Sequence, residues 1–406
     1  MKKTIISILF IIFSNFILIA QNKQEIINKM IDEVTYLASD ALEGRETGTD
    51  SEKLAAKYIS SKFEEYNLTK RGQEGYLQYF EATIKENPHT QSVKRKITGI
   101  NVVGYIDNKQ QQTIIIGAHY DHLGYGHFGS LHDGEKEVHN GADDNASGVS
   151  ILINLANSLT DIKNYNYLLI AFSGEEHGLF GSSYYAKNPT IDLEKVRFMV
   201  NFDMVGRLNK ENTLALNGIG TSSKWEDLIN DANKFDFKLK TTESGIGPSD
   251  HTSFYLQDIP VIHLFTGQHE DYHKPSDDVE KINFNGMYKI HEYVKEIIIK
   301  SIEIDDFDFQ KTKSDTTTAP RFKVTLGVMP DYLFDGKGMR IDGVSKGKTA
   351  EKFGILKGDI VVKIGDIDVN DMMGYMKGLS KFEKGNSTVV KINRQGKIID
   401  IPIIFQ

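Results

Sequence analysis

YLLIAFSGEEHG, residues 167–178, decides how this chain is read. Six consecutive apolar residues, short enough for a buried strand, lead through Ser173 and Gly174 into two adjacent glutamates. Burying one ionised carboxylate is unfavourable, and a second beside it adds repulsion. Either the pair lies in solvent, or something positive stands where this strand ends. Four further runs share the texture: NVVGYI (101–106), TIIIGA (113–118), RFMVNF (197–202) and PVIHLF (260–265). Helical patterns separate several of them, including GVSILINLANSL (148–159) and SKWEDLINDANKF (223–235). Residues 25–66 also carry helical spacing, on either side of a loop SDALEGRETGT, and a last helix is expected over about 278–303. Strands alternating with helices predict an α/β fold with a mostly parallel central sheet and helices on both faces.

The bulk composition narrows the function classes. With 406 residues, two domains are expected. The first twenty residues, MKKTIISILFIIFSNFILIA, combine two lysines, an apolar run and a small Ala20, the pattern of a signal peptide cleaved after Ala20. Export to the periplasm or the medium follows, with no membrane attachment after cleavage. Removing Lys2 and Lys3 takes the net charge from −8 to −10, which argues against nucleic acid as a partner. Cysteine is absent, so disulfides, zinc–thiolate sites and cysteine nucleophiles are excluded.

In open α/β sheets, sites form beyond the carboxyl ends of strands. TIIIGA is followed by His119-Tyr120-Asp121, YLLIAF by Glu175 and Glu176, and RFMVNF by Asp203. PVIHLF is followed by TGQHEDYHKPSDD, and GADDNASG (141–148) opens a helix with Asp143 and Asp144. Imidazole and carboxylate at five successive ends suit zinc or a similar divalent ion.

The motifs HYD, GADDNASG, SGEEHGLFGS, NFDMVG and DYHKPSDD resemble, in order, those of the co-catalytic zinc aminopeptidases (metallopeptidase family twenty-eight), over roughly residues 25–303. That resemblance implies a zinc exopeptidase fold with two Zn2+ ions per chain and peptides as substrates. It implies His119, Asp144 and Asp203 on one ion, and Asp144, Glu176 and His273 on the other, with Asp144 bridging. Asp121 would orient the His119 imidazole, and Glu175 would be the general base. The family also contains glutaminyl cyclases and glutamate carboxypeptidases, so those reactions stay open, as does a peptide-binding protein without activity.

Rival readings of the same residues are weaker. HEDYH (269–273) matches the HExxH pattern literally, but that pattern works on a helix, and Pro275 disfavours helix at Lys274. A second metallopeptidase group combines HxD, a bridging Asp and EE, but carries a long lid domain that the seventy residues between Asp203 and His273 cannot hold. His122, His127, His132 and His139 lie among glycines and read as a mobile loop over the cleft. Ser249 reads as a helix cap, with Asp250 and His251 either facing the cleft or buried.

IDDFDFQKTKSDTTTAPR is polar and ends in Pro-Arg, which sets a linker over 304–320 between a catalytic unit at 21–303 and a small β-rich unit at 321–406. Within the latter, GMRIDGVSKGKTAEKFGILKGDIVVKIGDIDV resembles a bacterial-type PDZ domain. The resemblance implies capture of a peptide or protein C-terminus by strand addition. TLGVMPDY, where the carboxylate loop would lie, departs from the usual glycine–hydrophobic–glycine pattern, and a docking or lid role is the alternative.

Overall fold

The computed structural model describes residues 21–85, 94–132, 134–312, 324–331, 334, 336–344, 347–370 and 372–405. The expected leader and residues 313–320 of the expected linker lie outside the described residues. No described helix is long and apolar enough to cross a membrane.

Helices α1 (21–37) and α2 (Asp50–Glu65) precede strands β1 (Thr69–Lys70), β2 (Leu77–Lys85), β3 (Lys94–Ile106) and β4 (Thr113–His119). Then come α3 (Gly148–Ser158), β5 (Asn166–Phe172), α4 (Phe180–Lys187), β6 (Val196–Phe202) and β7 (Thr213–Asn217). The unit closes with α5 (Trp225–Asp231), β8 (Lys238–Thr242), α6 (His251–Tyr255), β9 (Val261–Phe265) and α7 (Phe284–Ser301). The nine strands form one sheet in the order β1-β3-β5-β4-β6-β9-β7-β8, with β2 paired to β3.

Parallel pairing is found at the centre and at one edge, where β8 runs parallel to β7. Strands β5, β4, β6 and β9 run side by side in one direction. Strand β3 is antiparallel to β5, β1 and β2 are antiparallel to β3, and β7 is antiparallel to β9. The sheet is therefore mixed rather than mostly parallel. The physical difference lies in coverage. Central strands are apolar and buried on both faces, whereas the first part of β3 exposes Arg95, Lys96 and Thr98, as the antiparallel outer part of a sheet can.

Period-two alternation divides the central side chains between two cores. Ile114, Ile116, Tyr167, Leu169, Phe198 and Val200 point to the face covered by α1, α3 and α7. Ile115, Leu168, Ile170, Phe172 and Met199 point to the other, against Tyr185 of α4 and Phe254 of α6. Strands β5 and β6 lie on opposite sides of β4, so the chain reverses its winding direction there. That reversal leaves a crevice at the carboxyl ends of β4, β5 and β6.

Part of the expected linker is packed rather than free. Phe307 sits 5.0 Å from Phe198 and 4.8 Å from Trp225, ring centre to ring centre, while Asp308 accepts the Ser222 hydroxyl at 2.9 Å. The acidic residues of 304–308 masked two phenylalanines, Phe307 and Phe309, that belong to the apolar core surface.

A second, separate sheet contains β10 (Val328–Pro330), β11 (Met339–Val344), β12 (Ile360–Ile364), β13 (Ile367–Asp368), β14 (Ser387–Arg394) and β15 (Lys397–Ile404). Two short helices, α8 (Thr349–Lys352) and α9 (Met372–Leu379), accompany it over its own core, which includes Ile341, Val361, Val390 and Phe405. Asp359, buried after the turn at Gly358, takes both Nε and Nη2 of Arg394 at 2.7 Å and so ties β12 to β14.

Candidate metal centre

Each strand ending at the crevice delivers one of the predicted residues. β4 ends on His119, β5 leads into Glu175 and Glu176, and β6 leads into Asp203. Asp144 comes from a wound turn, Ala142–Ser147, that precedes α3. Gly141 starts that turn at φ +56, and a Cβ there would stand 2.1 Å from the Asp144 carbonyl oxygen, so only glycine fits. Asp277, in a segment after β9, accepts the amides of Asp143 and Asp144 at 2.9 and 3.0 Å and fixes the turn from below.

Two donor sets result. His119 Nε2 lies 3.3 Å from Asp203 Oδ1 and 3.4 Å from Asp144 Oδ1. His273 Nε2 lies 3.3 Å from Asp144 Oδ2 and 3.1 Å from Glu176 Oε2. Asp144 thus turns one oxygen to each set. A tetrahedral cation about 2.0–2.2 Å from its ligands separates neighbouring donors by about 3.4 Å, so both sets have the spacing a zinc-sized ion needs. All donors are nitrogen or carboxylate oxygen, in keeping with the same ion.

The supporting contacts sharpen the individual residues. Asp143 is turned away, accepting the Gly206 amide at 2.6 Å and facing His269 Nε2 at 3.1 Å. His269 and His273 do not share a helix, because 269–273 is a turn. His119 Nδ1 is nearer the Asp121 carbonyl oxygen (3.2 Å) than the Asp121 carboxylate (3.7 Å). The carboxylate instead accepts the Thr47 hydroxyl at 3.0 Å and the Glu175 amide at 3.2 Å, linking the β4 and β5 ends. His273 Nδ1 donates to the Gly129 carbonyl at 2.9 Å, which leaves Nε2 free to coordinate.

Residue 129 belongs to the histidine-rich stretch expected to be a mobile loop. That stretch is tied down: Leu131 donates to the His273 carbonyl at 2.9 Å, and His139 is buried with Nε2 2.7 Å from the Ser130 hydroxyl. His122 is fully buried, with Nδ1 2.7 Å from Glu176 Oε1. Ser249 is not a side-chain cap; its hydroxyl accepts from Asn201 at 2.9 Å. Asp250 and His251 are buried, and His251 stacks at 4.6 Å on His263, which lines the crevice.

Arg45 is another residue whose place the sequence hid. It is fully buried and donates to the carbonyls of Tyr120 at 2.8 Å, Asn140 at 2.7 Å, Gly141 at 3.0 Å and Leu37. Burial pulls its pKa down to about 10, against the opposing field of Asp144 and Asp121. An arginine in a glycine- and threonine-bearing loop gives no local sign that it enters the core.

The two glutamates of the opening motif are displaced in opposite directions. Burial, reinforced by Asp203 and Glu176, pushes Glu175 well above the usual carboxylate range despite the pull of His119. Burial also acts on Glu176, but His273 and His122 override it and hold that carboxyl well below the usual range. His119 resists the lowering effect of burial and is raised well above an ordinary imidazole by Asp203 and Glu175. Glu176 and Asp144 do the same for His273. One acid suited to carrying a proton therefore stands beside one suited to permanent charge. The crevice adds Met204, Phe265 and Tyr272 to its lining.

Residues 101–298 match the model of Peptidase family M28. The chain is 28% identical over 247 residues to Aminopeptidase YwaD of Bacillus subtilis, covering 58% of this chain and 51% of that protein. It is 26% identical over 224 residues to Leucine aminopeptidase 2 of Trichophyton rubrum, covering 47% and 44%. The chain thus spans about half the length of these curated relatives. Among solved structures, BSAP, a zinc aminopeptidase from Bacillus subtilis, superposes with a TM-score of 0.55 at 18% identity, over 72% of this chain and 97% of that one. Porphyromonas gingivalis glutaminyl cyclase superposes with a TM-score of 0.53 at 17% identity, over 68% and 98%. At such identities these structures speak to the fold.

Proposed function

We propose that this chain, whose residues 101–298 match Peptidase family M28, is an exported two-zinc exopeptidase that removes N-terminal residues from peptides. The observation that carries the reading is Asp144, which offers Oδ1 to one donor set and Oδ2 to the other. His119, Asp144 and Asp203 would hold one zinc, and Asp144, Glu176 and His273 the second. When bound, such a pair of ions supplies Lewis-acid chemistry, polarising a carbonyl and acidifying water.

The chain's own groups account for the rest. Glu175 takes a proton from the attacking water and returns it to the departing amine, so the acid ends as it began. Its raised affinity for protons, produced first by burial, suits both halves of that cycle. Asp121 keeps Glu175 in place through the Glu175 amide. The free α-amine of the substrate is positive and meets a crevice rich in carboxylates. Met204, Phe265 and Tyr272 give the side chain next to it an apolar wall.

The test is a panel of aminoacyl amides and peptides, each with a free and an acetylated N-terminus. Hydrolysis of the free forms alone supports the proposal, and hydrolysis of blocked peptides alone contradicts it. Glutaminyl cyclisation is a second reading, favoured by the likeness of the fold to glutaminyl cyclases. In that case a peptide beginning with glutamine would lose ammonia and keep its length. The apolar leader supports export, and the second sheet, read as PDZ-like, is the proposed dock for a peptide or protein C-terminus.

A further inference from the structure

Glu176 presents its two oxygens to different neighbours. Oε2 lies 3.1 Å from His273 Nε2, on the side of the second donor set. Oε1 lies 2.7 Å from His122 Nδ1. An ionised carboxylate only accepts hydrogen bonds, so Nδ1 of His122 carries the hydrogen. The other ring nitrogen, Nε2, is buried and has no partner. The ring itself cannot move far. It is fully buried, meets the His273 ring edge-on at 5.9 Å, and packs where a Cβ on Gly141 would stand 2.6 Å from its atoms. Its Nδ1 is 3.8 Å from Asp144 Oδ2, farther than the His273 contact at 3.3 Å.

We infer that His122 is a positioning residue for the second cation pocket: its Nδ1–H occupies Glu176 Oε1, so that Glu176 serves the cation through Oε2 alone. The inference rests on the metal reading proposed above. It adds that the segment after β4 supports this pocket at two points, through His122 to Glu176 and through the Gly129 carbonyl to His273. Outer hydrogen bonds of this kind orient the ligand they touch, and their loss typically weakens metal affinity about 10–100-fold.

Zinc titration against a chromophoric chelator, resolving the two binding events, tests the assignment on the full chain. His122→Phe should weaken one event by about 10–100-fold and leave the other unchanged. His122→Asn, whose amide can stand near the position of Nδ1 and donate to Glu176, should restore most of the loss. In the cobalt-loaded protein, His122→Phe should also weaken the visible absorption, as Glu176 gains a second contact and the coordination number rises. Unchanged affinities in both variants would overturn the inference. Equal losses in both would do so as well, since they would make His122 a direct ligand. Should the phenylalanine variant lose both ions through misfolding, His122→Ala removes the donor without added bulk and carries the same comparison. If the unaltered protein takes up no zinc at all, it is the metal reading itself that fails.

Discussion

Glu175 and Glu176 are one peptide bond apart, yet the fold gives them opposite proton affinities, and that separation can be tested at the level of single atoms. Glu175→Gln keeps the shape and removes the proton acceptor, so kcat should fall by about 10²–10⁴-fold while zinc content stays the same. Loss of zinc in that variant would mean the two roles are reversed. The histidines give a second prediction. His119 and His273 are both raised well above an ordinary imidazole by their carboxylate neighbours, so each holds a proton more tightly than a free imidazole and a cation must compete with it. Calorimetry of zinc binding in two buffers of different ionisation enthalpy should detect proton release, and the affinity should fall as the pH is lowered. Zero net release at pH 7 would contradict these assignments. The seven expected site residues came from positions that follow an apolar strand or open a buried helix, and such positions were legible as candidates. His122 was not, since its neighbours include three other histidines and several glycines, a composition that reads as a loop. Arg45 was hidden for the same reason.

At the scale of elements, α1 is anchored to α3 through a carboxyl group that the fold keeps protonated. Glu33 of α1 accepts from Ser150 and Asn154 of α3, both at 2.7 Å, and burial pushes its pKa from 4.5 up to about 8. A carboxyl raised on folding contributes stability that is complete below its unfolded pKa and lost as the pH climbs through the folded one. The anchor should therefore weaken between about pH 4.5 and 8. Glu33→Gln, which stays neutral, should show a flatter dependence of unfolding free energy across that window, measured by urea denaturation. An identical slope in the two proteins would remove Glu33 from the account. The central strands and α3 were readable because long apolar runs leave few alternatives. Strands β7 and β8 were not: TLALN and KLKTT are five residues each, and β8 is intermediate or exposed throughout. Such segments become strands through their neighbours rather than through their own pattern.

Across the whole molecule, the described residues contain two sheets with separate cores, and the donor sets belong to the first sheet alone. A ligand that binds only the folded state stabilises what it binds, by about 4 kcal/mol at a thousandfold excess over Kd. Chelation should accordingly lower the thermal transition of the first unit and leave that of the second in place. A uniform shift of both would show that the units unfold together. A change of texture marked the β-rich stretch that forms the second sheet, but the packing of Phe307 and Phe309 onto the first unit could not be read from a stretch with three aspartates around them. The central claim is that one carboxylate joins two cation pockets. Counting zinc by native mass spectrometry in Asp144→Ala, beside His273→Ala and Asp203→Ala, tests it most directly. The account predicts two zinc ions in the unaltered protein, one in each of the last two variants, and depletion of both in Asp144→Ala. Retention of one fully bound zinc after loss of Asp144 would contradict it.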